Sequence, residues 1–386
     1  MNGLLFVFRH ELRRIFTLRP VFSVMALAIV LYSVFYPQPY RTEALRDVPI
    51  AIVDLDGTDM SRQFARRLEA SADVSIAAVL PDQASAEREV FARNVYGVLV
   101  IPKYFERDLL HGRAAPIALY GDASYFLINS RVSGAVNTLA RTVGAEIETG
   151  RLIAASVDPA IASAAPDPMP TTAIPLFNPQ GGYATYILPA AFVLILQQTL
   201  LIGVGLLGTY PDPDRAEVLA RAGATVRVGG RLLAYIVLEA VVFSYYLIVL
   251  PYLYGIPRLG PVGAIFLVAL PFVLAVAGLG MVVAKLFRNP IVVQLVSAAI
   301  GMPFLFLSGF SWPGDAIPEP LRSIALIVPS TSAINALVNV GQLGAELSDV
   351  RSQVMTLAVL AATYVTLAIA FEALAPEKRE ASDGRA

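Results

Sequence analysis

The sequence contains no cysteine, and its 386 residues include only two histidines, His10 and His111. The lack of cysteine excludes disulfides, thiolate metal sites and cysteine nucleophiles. Two histidines so far apart argue against a His-rich metal site. The three lysines are Lys103, Lys285 and Lys378, and none follows a glycine-rich stretch or precedes Ser or Thr. A Walker A loop is therefore missing, which excludes a P-loop ATPase.

Charged residues are also scarce. They make up 15% of the chain, whereas 56% of the residues are hydrophobic. A soluble domain is typically ~25% charged and about 45–50% apolar. The formal net charge of −1 gives no reason to expect a nucleic-acid partner. The composition predicts an integral membrane protein.

The first 37 residues divide into two segments. Residues 1–20 carry four arginines and apolar residues at near-helical spacing, a pattern that predicts an amphipathic helix on the membrane surface. Residues 21–37 are uncharged and apolar, and we interpret them as a first transmembrane helix. A signal peptide is the alternative, but no small-x-small cleavage site follows.

Residues 41–180 have a different character, with frequent charges and short apolar runs. Strand-like runs at 48–54, 74–80, 95–101 and 116–120 alternate with helix-like segments. This alternation predicts an α/β domain with a partly parallel sheet. A proline-rich stretch at 164–179 reads as a linker to the next apolar segment.

Five further transmembrane helices are predicted within residues 183–375, because each apolar run is near the ~20 residues that cross a bilayer. The runs are 183–207, 232–254, 262–283, 291–310 and 354–374. The proline-interrupted segment 311–348 is predicted to be a re-entrant external hairpin. The predicted fold is an α-helical membrane protein with about six transmembrane helices and an inserted extracytoplasmic α/β domain.

Lysine and arginine in short loops predict the orientation. With the N-terminus inside, thirteen such residues lie on the cytoplasmic side, including Lys378, Arg379 and Arg385, and three lie outside. Both termini are therefore expected in the cytoplasm, and residues 41–180 outside.

The string from Asp54 to Thr58 resembles the nucleophile motif of haloacid-dehalogenase phosphatases, in which the first aspartate attacks phosphorus. The alternative is a strand that ends in an Asp-Gly turn, with Thr58 or Asp59 capping the next helix. We favour the turn, because Tyr125 occupies the place of a second magnesium-binding carboxylate.

Several polar side chains fall within the apolar segments. Glu239 lies near the middle of the third span, and a carboxylate there is either functional or held by a structural hydrogen bond to a glutamine or tyrosine. The amides of Gln197, Gln198 and Gln294 either line a substrate path or join helices. With Phe310 at the end of the fifth span, these residues are our candidates for the path.

The loop 209–229 is predicted to lie in the cytoplasm and has mixed charge. A short helix after Pro213 either docks a cytoplasmic partner or is a solvated connector. The candidate docking residues are Asp212, Asp214, Arg215, Glu217 and Arg221.

The order of these features resembles the ABC-2 type transporter permeases, in particular bacterial exporters with a large extracytoplasmic domain between the first two spans. Three stretches carry the resemblance across the whole chain. They are Phe177-Asn178-Pro179 before the second span, Gly230 to Tyr235 at the start of the third, and Phe304 to Phe310 with the following Val328-Pro329-Ser330-Thr331. One departure is that acidic residues appear only after Thr209, whereas the family usually has them just before this Gly-Thr pair.

The resemblance implies a permease subunit in the bacterial inner membrane that is not itself an ATPase. A separate ABC ATP-binding subunit, holding ATP and magnesium, would drive export, while this chain would bind no cofactor. The implied partners are that subunit, a second permease copy or related permease, membrane lipids and a periplasmic adaptor protein. The cargo would be an amphipathic or drug-like compound, or a lipid. The alternative is a membrane-anchored receptor or scaffold that binds through its external domain without transport.

Overall fold

The structure is a computed structural model and describes residues 2–179 and 181–374. It separates into two compact units, each with its own core. One unit comprises Met1–Glu43 with Pro175–Ala386, and the other is Ala44–Ile174. The cations Lys378, Arg379 and Arg385, used to predict a cytoplasmic C-terminus, lie outside the described residues.

The first unit is a bundle of helices. Six of the described helices are long and apolar enough to cross a membrane, with mean hydropathy from 1.8 to 2.6. At 1.5 Å per residue, even the shortest approaches the ~30 Å of a hydrocarbon core. The chain is therefore a multi-pass membrane protein, as predicted. The six are α2 (Arg19–Tyr40), α8 (Tyr183–Thr209), α10 (Ala224–Leu253), α11 (Val262–Phe287), α12 (Pro290–Leu307) and α15 (Arg351–Ala373).

Shorter helices complete this unit. They are α1 (Asn2–Thr17), α9 (Arg215–Arg221), α13 (Glu319–Ala325) and α14 (Pro329–Gly341). The pair α13 and α14 is bent by 85°, and Pro329 occupies the first turn of α14, where its missing N–H leaves no helical bond unmade. The bent pair lies within the predicted re-entrant segment 311–348, and its geometry is compatible with either a broken span or a re-entrant loop.

The bundle is organised around α8, which is buried along most of its length, whereas α12 and α15 are largely exposed. Helix α8 packs against α11, α12 and α14. Aromatic side chains fill the core, and the rings of Phe192 and Tyr246 meet edge to face at 5.3 Å. A helix so apolar and so enclosed is stabilised by close packing, because lipid tails offer no hydrophobic drive between helices.

Helix α10 begins earlier than the sequence predicts. Residues 224–229 were assigned to the cytoplasmic loop 209–229, but they form the first turns of α10. Gly230, the residue that follows these first turns of the helix, allows close helix packing. A Cβ on Gly230 would come within 2.7 Å of Val7, so only glycine lets α1 approach α10 this closely.

The second unit contains a four-stranded sheet in the order β2-β1-β3-β4. Strand β1 is parallel to β2 and β3, and β4 is antiparallel to β3. The strands lie where the apolar runs place them. They are β1 (Val48–Asp54), β2 (Val74–Leu80), β3 (Gly97–Ile101) and β4 (Ala118–Gly121).

Helices connect the strands of this unit and cover the sheet. Ile50, Leu68 and Leu99 are among its buried core residues, which explains the near-continuous apolar runs of β1 and β3. The helices are α3 (Asp59–Glu69), α4 (Gln83–Phe91), α5 (Phe105–Leu110), α6 (Phe126–Ala154) and α7 (Pro159–Ala164).

Candidate functional site

A buried carboxylate joins three of the long helices. Glu372 on α15 is only 3% exposed. Its Oε1 accepts a hydrogen bond of 3.0 Å from Arg227 Nε, and its Oε2 lies 2.7 Å from Lys285 Nζ. Arg231 is also within 3.6 Å of Oε2. Burial of such a carboxylate is tolerated because three cations surround it.

A second buried carboxylate holds helix α1 against α10. Glu11 is 2% exposed and accepts a hydrogen bond from the hydroxyl of Tyr235. Arg14 lies 3.8 Å and Arg231 3.9 Å from Glu11 Oε2. Because Arg231 approaches both Glu11 and Glu372, the two acidic groups belong to one cluster. We call it the charged cluster: Glu11, Arg14, Arg227, Arg231, Lys285 and Glu372.

The end of α8 is tied to α1 through the same cluster. Arg14 Nη2 donates to the carbonyl oxygens of Leu207 at 3.0 Å and Tyr210 at 3.2 Å. The last carbonyls of a helix lack internal partners and carry partial negative charge. An arginine in this position therefore stabilises the helix end and fixes the start of the following loop.

The predicted docking residues lie along α9 and the loop before it. Asp212 accepts a hydrogen bond of 3.0 Å from His10 Nε2 and lies 3.8 Å from Arg14. His10 Nδ1 is 3.7 Å from Asp214. Both contacts connect the loop to α1, so the carboxylates of Asp212 and Asp214 already interact with His10 of the same chain.

Helix α9 itself has two different faces. Val218 is buried and packs with Val7, and the guanidinium of Arg221 lies 4.6 Å from the ring of Phe6. In contrast, Arg215 and Glu217 are exposed, and Glu217 pairs with Arg221 at 2.6 Å. A short helix with an inner apolar face and an outer charged face can pass movement from a bound partner to α1.

The predicted substrate-path residues are not gathered in one cavity. Gln197 is fully buried, and its Oε1 accepts from Ser330 N at 2.6 Å, which links α8 to α14. The Gln198 amide forms two hydrogen bonds to α12 in the orientation that satisfies both of its polar atoms. Its nitrogen donates to Ser297 O at 2.9 Å, and its oxygen accepts from Gly301 N at 3.0 Å. Both glutamines therefore join helices, which was one of the two predicted alternatives.

Glu239 differs from the glutamines. It is 1% exposed, and its Oε2 has no hydrogen-bond partner among the described residues. The structural alternative predicted from the sequence was a bond to a glutamine or tyrosine, and Glu239 Oε2 makes none in the described part of the chain. A carboxyl group placed in an apolar bundle without a partner is costly.

Gln294 and Phe310 lie on the outer parts of the bundle. Gln294 is exposed on α12. The Phe310 ring stacks on Tyr186 at 4.9 Å, and the Phe310 carbonyl accepts from the Tyr186 hydroxyl at 2.6 Å. Phe310 and Tyr186 border a cavity of about 250 Å³.

The phosphatase-like string forms a turn and a helix cap. Asp54 Oδ1 accepts from the amides of Asp56 at 3.0 Å and Gly57 at 2.9 Å, while Oδ2 accepts from Ser61 Oγ at 2.7 Å. Thr58 caps α3 by accepting from Ser61 N. The Asp54 carboxylate is thus engaged in shaping the local backbone, as the favoured interpretation predicted.

Sequence reasoning missed the charged cluster. Arg14, Arg227, Arg231 and Lys285 are among the thirteen cations that predict the orientation, and neither Glu11 nor Glu372 is among the candidate site residues. Glu372 was nevertheless visible as a carboxylate within the sixth apolar run. An acidic residue at that position calls for a cationic partner, and this signal would have pointed to the cluster.

Together, the six apolar helices and the separate α/β unit define a multi-pass membrane protein with an α/β unit between its first two long helices. The chain belongs to the ABC-2 family of transporter proteins, whose family model matches residues 20–370. Members of this family are membrane transport subunits that work with an ATP-binding subunit.

Two relatives illustrate the range of similarity. The linearmycin resistance permease protein LnrN of Bacillus subtilis (strain 168) is 24% identical over 324 residues, which cover 78% of this chain and 82% of the relative. The probable multidrug ABC transporter permease YbhS of Escherichia coli (strain K12) is 25% identical over 108 residues. That match covers 28% of this chain and 29% of the relative.

Proposed function

We propose that this chain is the permease subunit of an ATP-driven exporter in the bacterial inner membrane. The observation that carries the proposal is the family match over residues 20–370. The names of the relatives, a resistance permease and a probable multidrug permease, favour outward movement of an amphipathic or drug-like compound. A lipid cargo has the same amphipathic chemistry. ATP and magnesium would be held by the partner subunit.

The contacts of Glu372 support a specific topology. Glu372 at the end of α15 lies beside Lys285 at the end of α11 and Arg227 at the start of α10, so these three helix ends share one side of the membrane. Helix α12 leaves that side and α15 returns to it. The segment 311–348 between them would then begin and end on the opposite side, which favours a re-entrant hairpin over a seventh span.

The side that holds the charged cluster is proposed to be cytoplasmic. The arginines of α1 and the cations Lys285 and Arg288 lie at this end, in agreement with the positive-inside rule. Residues 1–17 and the C-terminus would then be cytoplasmic. The α/β unit, inserted between α2 and α8, would lie outside the cytoplasm, where it could meet a periplasmic adaptor protein.

The loop from Thr209 to Arg221 would transmit the movement of the ATP-binding subunit. Arg215 and Glu217 are exposed on α9, where they would meet a partner, whereas Asp212 contacts His10 on α1. Movement of α9 would thus reach α1 and, through Glu11 and Tyr235, reach α10. Asp214 and Arg221 would keep α9 attached to α1.

A second permease copy or a related permease would complete the transport path. Gln294 exposes an amide on the apolar helix α12, and an unpaired amide facing lipid is unfavourable. A neighbouring subunit or a polar part of the cargo would satisfy it. Gln197, Gln198, Glu239 and Phe310 are the other proposed path residues, and Glu239 Oε2 and Gln197 Nε2 are polar atoms without a hydrogen-bond partner among the described residues.

The test is to co-purify the full chain with its ATP-binding subunit and measure ATP-dependent transport in membrane vesicles. We expect cargo-stimulated ATP hydrolysis and outward flux. Replacing Asp212 with asparagine should leave the complex assembled but reduce the stimulation severalfold, since His10 and Arg14 lose a charged partner. The matched control is Asp315→Asn, because Asp315 is 99% exposed. A complex with neither ATPase nor flux would instead indicate the receptor or scaffold alternative.

A further inference from the structure

A polar cavity lies where four segments of the membrane unit meet. Its volume is about 410 Å³. The end of α12 and helix α13 form part of its wall, and the first turns of α14 and α15 form the rest. None of the lining residues is acidic. The polar ones are Ser308, Arg322, Thr331, Ser332, Asn335, Ser352, Gln353 and Thr356.

The N-terminus of α15 faces this cavity and is not capped by a side chain. Its N-cap residue is Val350, which makes no side-chain capping bond. The amides at a helix N-terminus carry partial positive charge and lack internal acceptors, so the start of α15 is favourable for an anion. The start of α14 does not add to this, because Pro329 has no N–H, Ser330 N donates to Gln197 Oε1 and Thr331 N donates to Val328 O.

A buried hydroxyl without a partner provides a second, independent observation. Thr331 lines the cavity and is 6% exposed, and its Oγ1 has no hydrogen-bond partner in the described part of the chain. Buried polar groups in native proteins are almost always satisfied, so the Thr331 hydroxyl points to a ligand in the cavity that accepts a hydrogen bond.

Arg322 on α13 supplies a full positive charge at the cavity. Its closest carboxylate, Asp315, is 3.5 Å away and 99% exposed, so solvent screens that pair strongly. The guanidinium therefore keeps donors available. A guanidinium, hydroxyls and helix N-termini are the groups that bind phosphate oxygens.

Apolar side chains surround the same cavity. Leu307, Ile317 and Leu326 line it, and Phe306 and Met355 on the flanking helices are more than half exposed. These exposed side chains belong to helices that cross the membrane, where acyl chains would cover them. The ligand therefore needs an anionic head and an apolar tail.

We propose that this cavity binds the phosphate group of a membrane phospholipid, whose acyl chains lie along α12 and α15. Arg322, the Thr331 hydroxyl and the first turn of α15 hold the phosphate. The site does not depend on which compound the protein exports, or on whether it exports one. It gives the bent pair α13 and α14 a lipid contact that fixes its position beside α15.

The test uses the full-length protein, stripped of lipid by extended detergent washing. Binding of phosphatidylglycerol, of diacylglycerol with the same acyl chains and of inorganic phosphate is measured by native mass spectrometry and by thermal shift. We expect phosphatidylglycerol to bind and to raise the melting temperature. Diacylglycerol, which lacks the phosphate, and inorganic phosphate, which lacks the tails, should bind at least tenfold more weakly.

Two variants assign the binding to this cavity. Arg322→Gln and Thr331→Val should each weaken phosphatidylglycerol binding by about tenfold, the loss of one charge-assisted or buried hydrogen bond. Thr331→Val should not lower the melting temperature of the lipid-free protein, since the hydroxyl has no partner to lose. The controls are Arg288→Gln and Thr363→Val, whose side chains are exposed and do not line the cavity.

Three outcomes would overturn the proposal. Diacylglycerol that binds as tightly as phosphatidylglycerol would show that the phosphate is not recognised. Inorganic phosphate that binds as tightly would assign the site to a soluble anion. Unchanged phosphatidylglycerol binding in both Arg322→Gln and Thr331→Val would place the lipid elsewhere on the protein.

Discussion

Lys285 and Glu372 form an ion pair in which Nζ and Oε2 are 2.7 Å apart. Lys285 lies near the end of α11 and Glu372 near the end of α15, and these two helices are in extensive contact along their length. Arg227 brings a third helix, α10, to the same carboxylate. One acidic side chain thus holds three spans together at one end of the bundle, next to α1, which contacts α9.

Replacing Glu372 with glutamine should destabilise the bundle. The change leaves Arg227 and Lys285 without a buried counter-charge, while Arg231 keeps Glu11, and removing one partner of such a group costs about 3–5 kcal/mol. The melting temperature of the purified protein should fall by several degrees, as measured by intrinsic fluorescence. Glu319→Gln, at an exposed position on α13, is the matched control. Equal melting temperatures for the two variants would contradict the role assigned to Glu372.

Glu239→Gln should behave in the opposite way. Because Glu239 Oε2 has no described partner, loss of the ionisable group removes a desolvation cost, and the melting temperature should stay the same or rise. Transport measured in vesicles should decrease if this residue contacts cargo. Glu11→Gln provides the contrast, since Glu11 is hydrogen-bonded to Tyr235 and its replacement should lower the melting temperature. A lower melting temperature with unchanged transport in Glu239→Gln would assign it a structural role.

The contact of Gln198 with Gly301 can be tested by a double-mutant cycle. A Cβ on Gly301 would come within 1.8 Å of the end of the Gln198 amide, so Gly301→Ala should displace the amide and lose its two hydrogen bonds, about 1–2 kcal/mol. In a Gln198→Ala background there is no amide to displace, so Gly301→Ala costs no hydrogen bond. The alanine at position 301 should then stabilise α12 by up to about 1 kcal/mol through its helix propensity. The sign of the change in melting temperature is therefore expected to reverse between the two backgrounds. Equal effects in both would show that the two residues are not coupled.

The α/β unit should lose stability in acid at the start of α4. Asp82 Oδ1 accepts a hydrogen bond of 2.7 Å from Ser85 N, and this bond lowers the pKa of Asp82 below its ordinary value. Because the folded-state pKa is lowered, the contribution of the cap is present above about pH 4 and is lost as the pH falls through the folded-state value. Asp82→Asn keeps a cap that does not titrate.

Hydrogen exchange of residues 83–91 in the full-length protein measures this effect. Wild type and Asp82→Asn are compared at the same pH, so that the intrinsic exchange rate cancels. Protection should be similar at pH 5, and at pH 3 the wild type should lose more protection than the variant. A difference that does not change with pH would contradict the proposed cap titration.

The spans could be predicted from the sequence because membrane insertion depends on local hydropathy. A run such as 262–283 contains enough apolar surface to cross the bilayer whatever its neighbours are. The prediction of a helical membrane protein with about six spans is confirmed. The start of α10 was not predictable in this way. Gly229 and Gly230 are weak helix formers by their type, and only the distant Val7 shows that Gly230 serves close packing.

The candidate site was harder to predict than the spans. Asp212 and Glu217 were selected from loop composition, and the structure places them next to α1 and on the outer face of α9. The pairing of Arg227 with Glu372 spans 145 residues, and no local pattern in one sequence connects two such positions. Pairings of this kind depend on how helices pack, which hydropathy does not specify.

The attachment of α1 has a consequence for the way the protein is made. Glu11 finds its partner Tyr235, a separation of 224 residues, only after most of the chain has been synthesised. Until then His10 and Glu11 have neither Asp212 nor Tyr235 beside them, and α1 has no helix on which to dock. Docking of α1 is therefore a late event in biogenesis. It requires that α8, α10 and the loop between them have first been inserted correctly. Any nascent chain that fails this step would leave α1 exposed to chaperones and proteases.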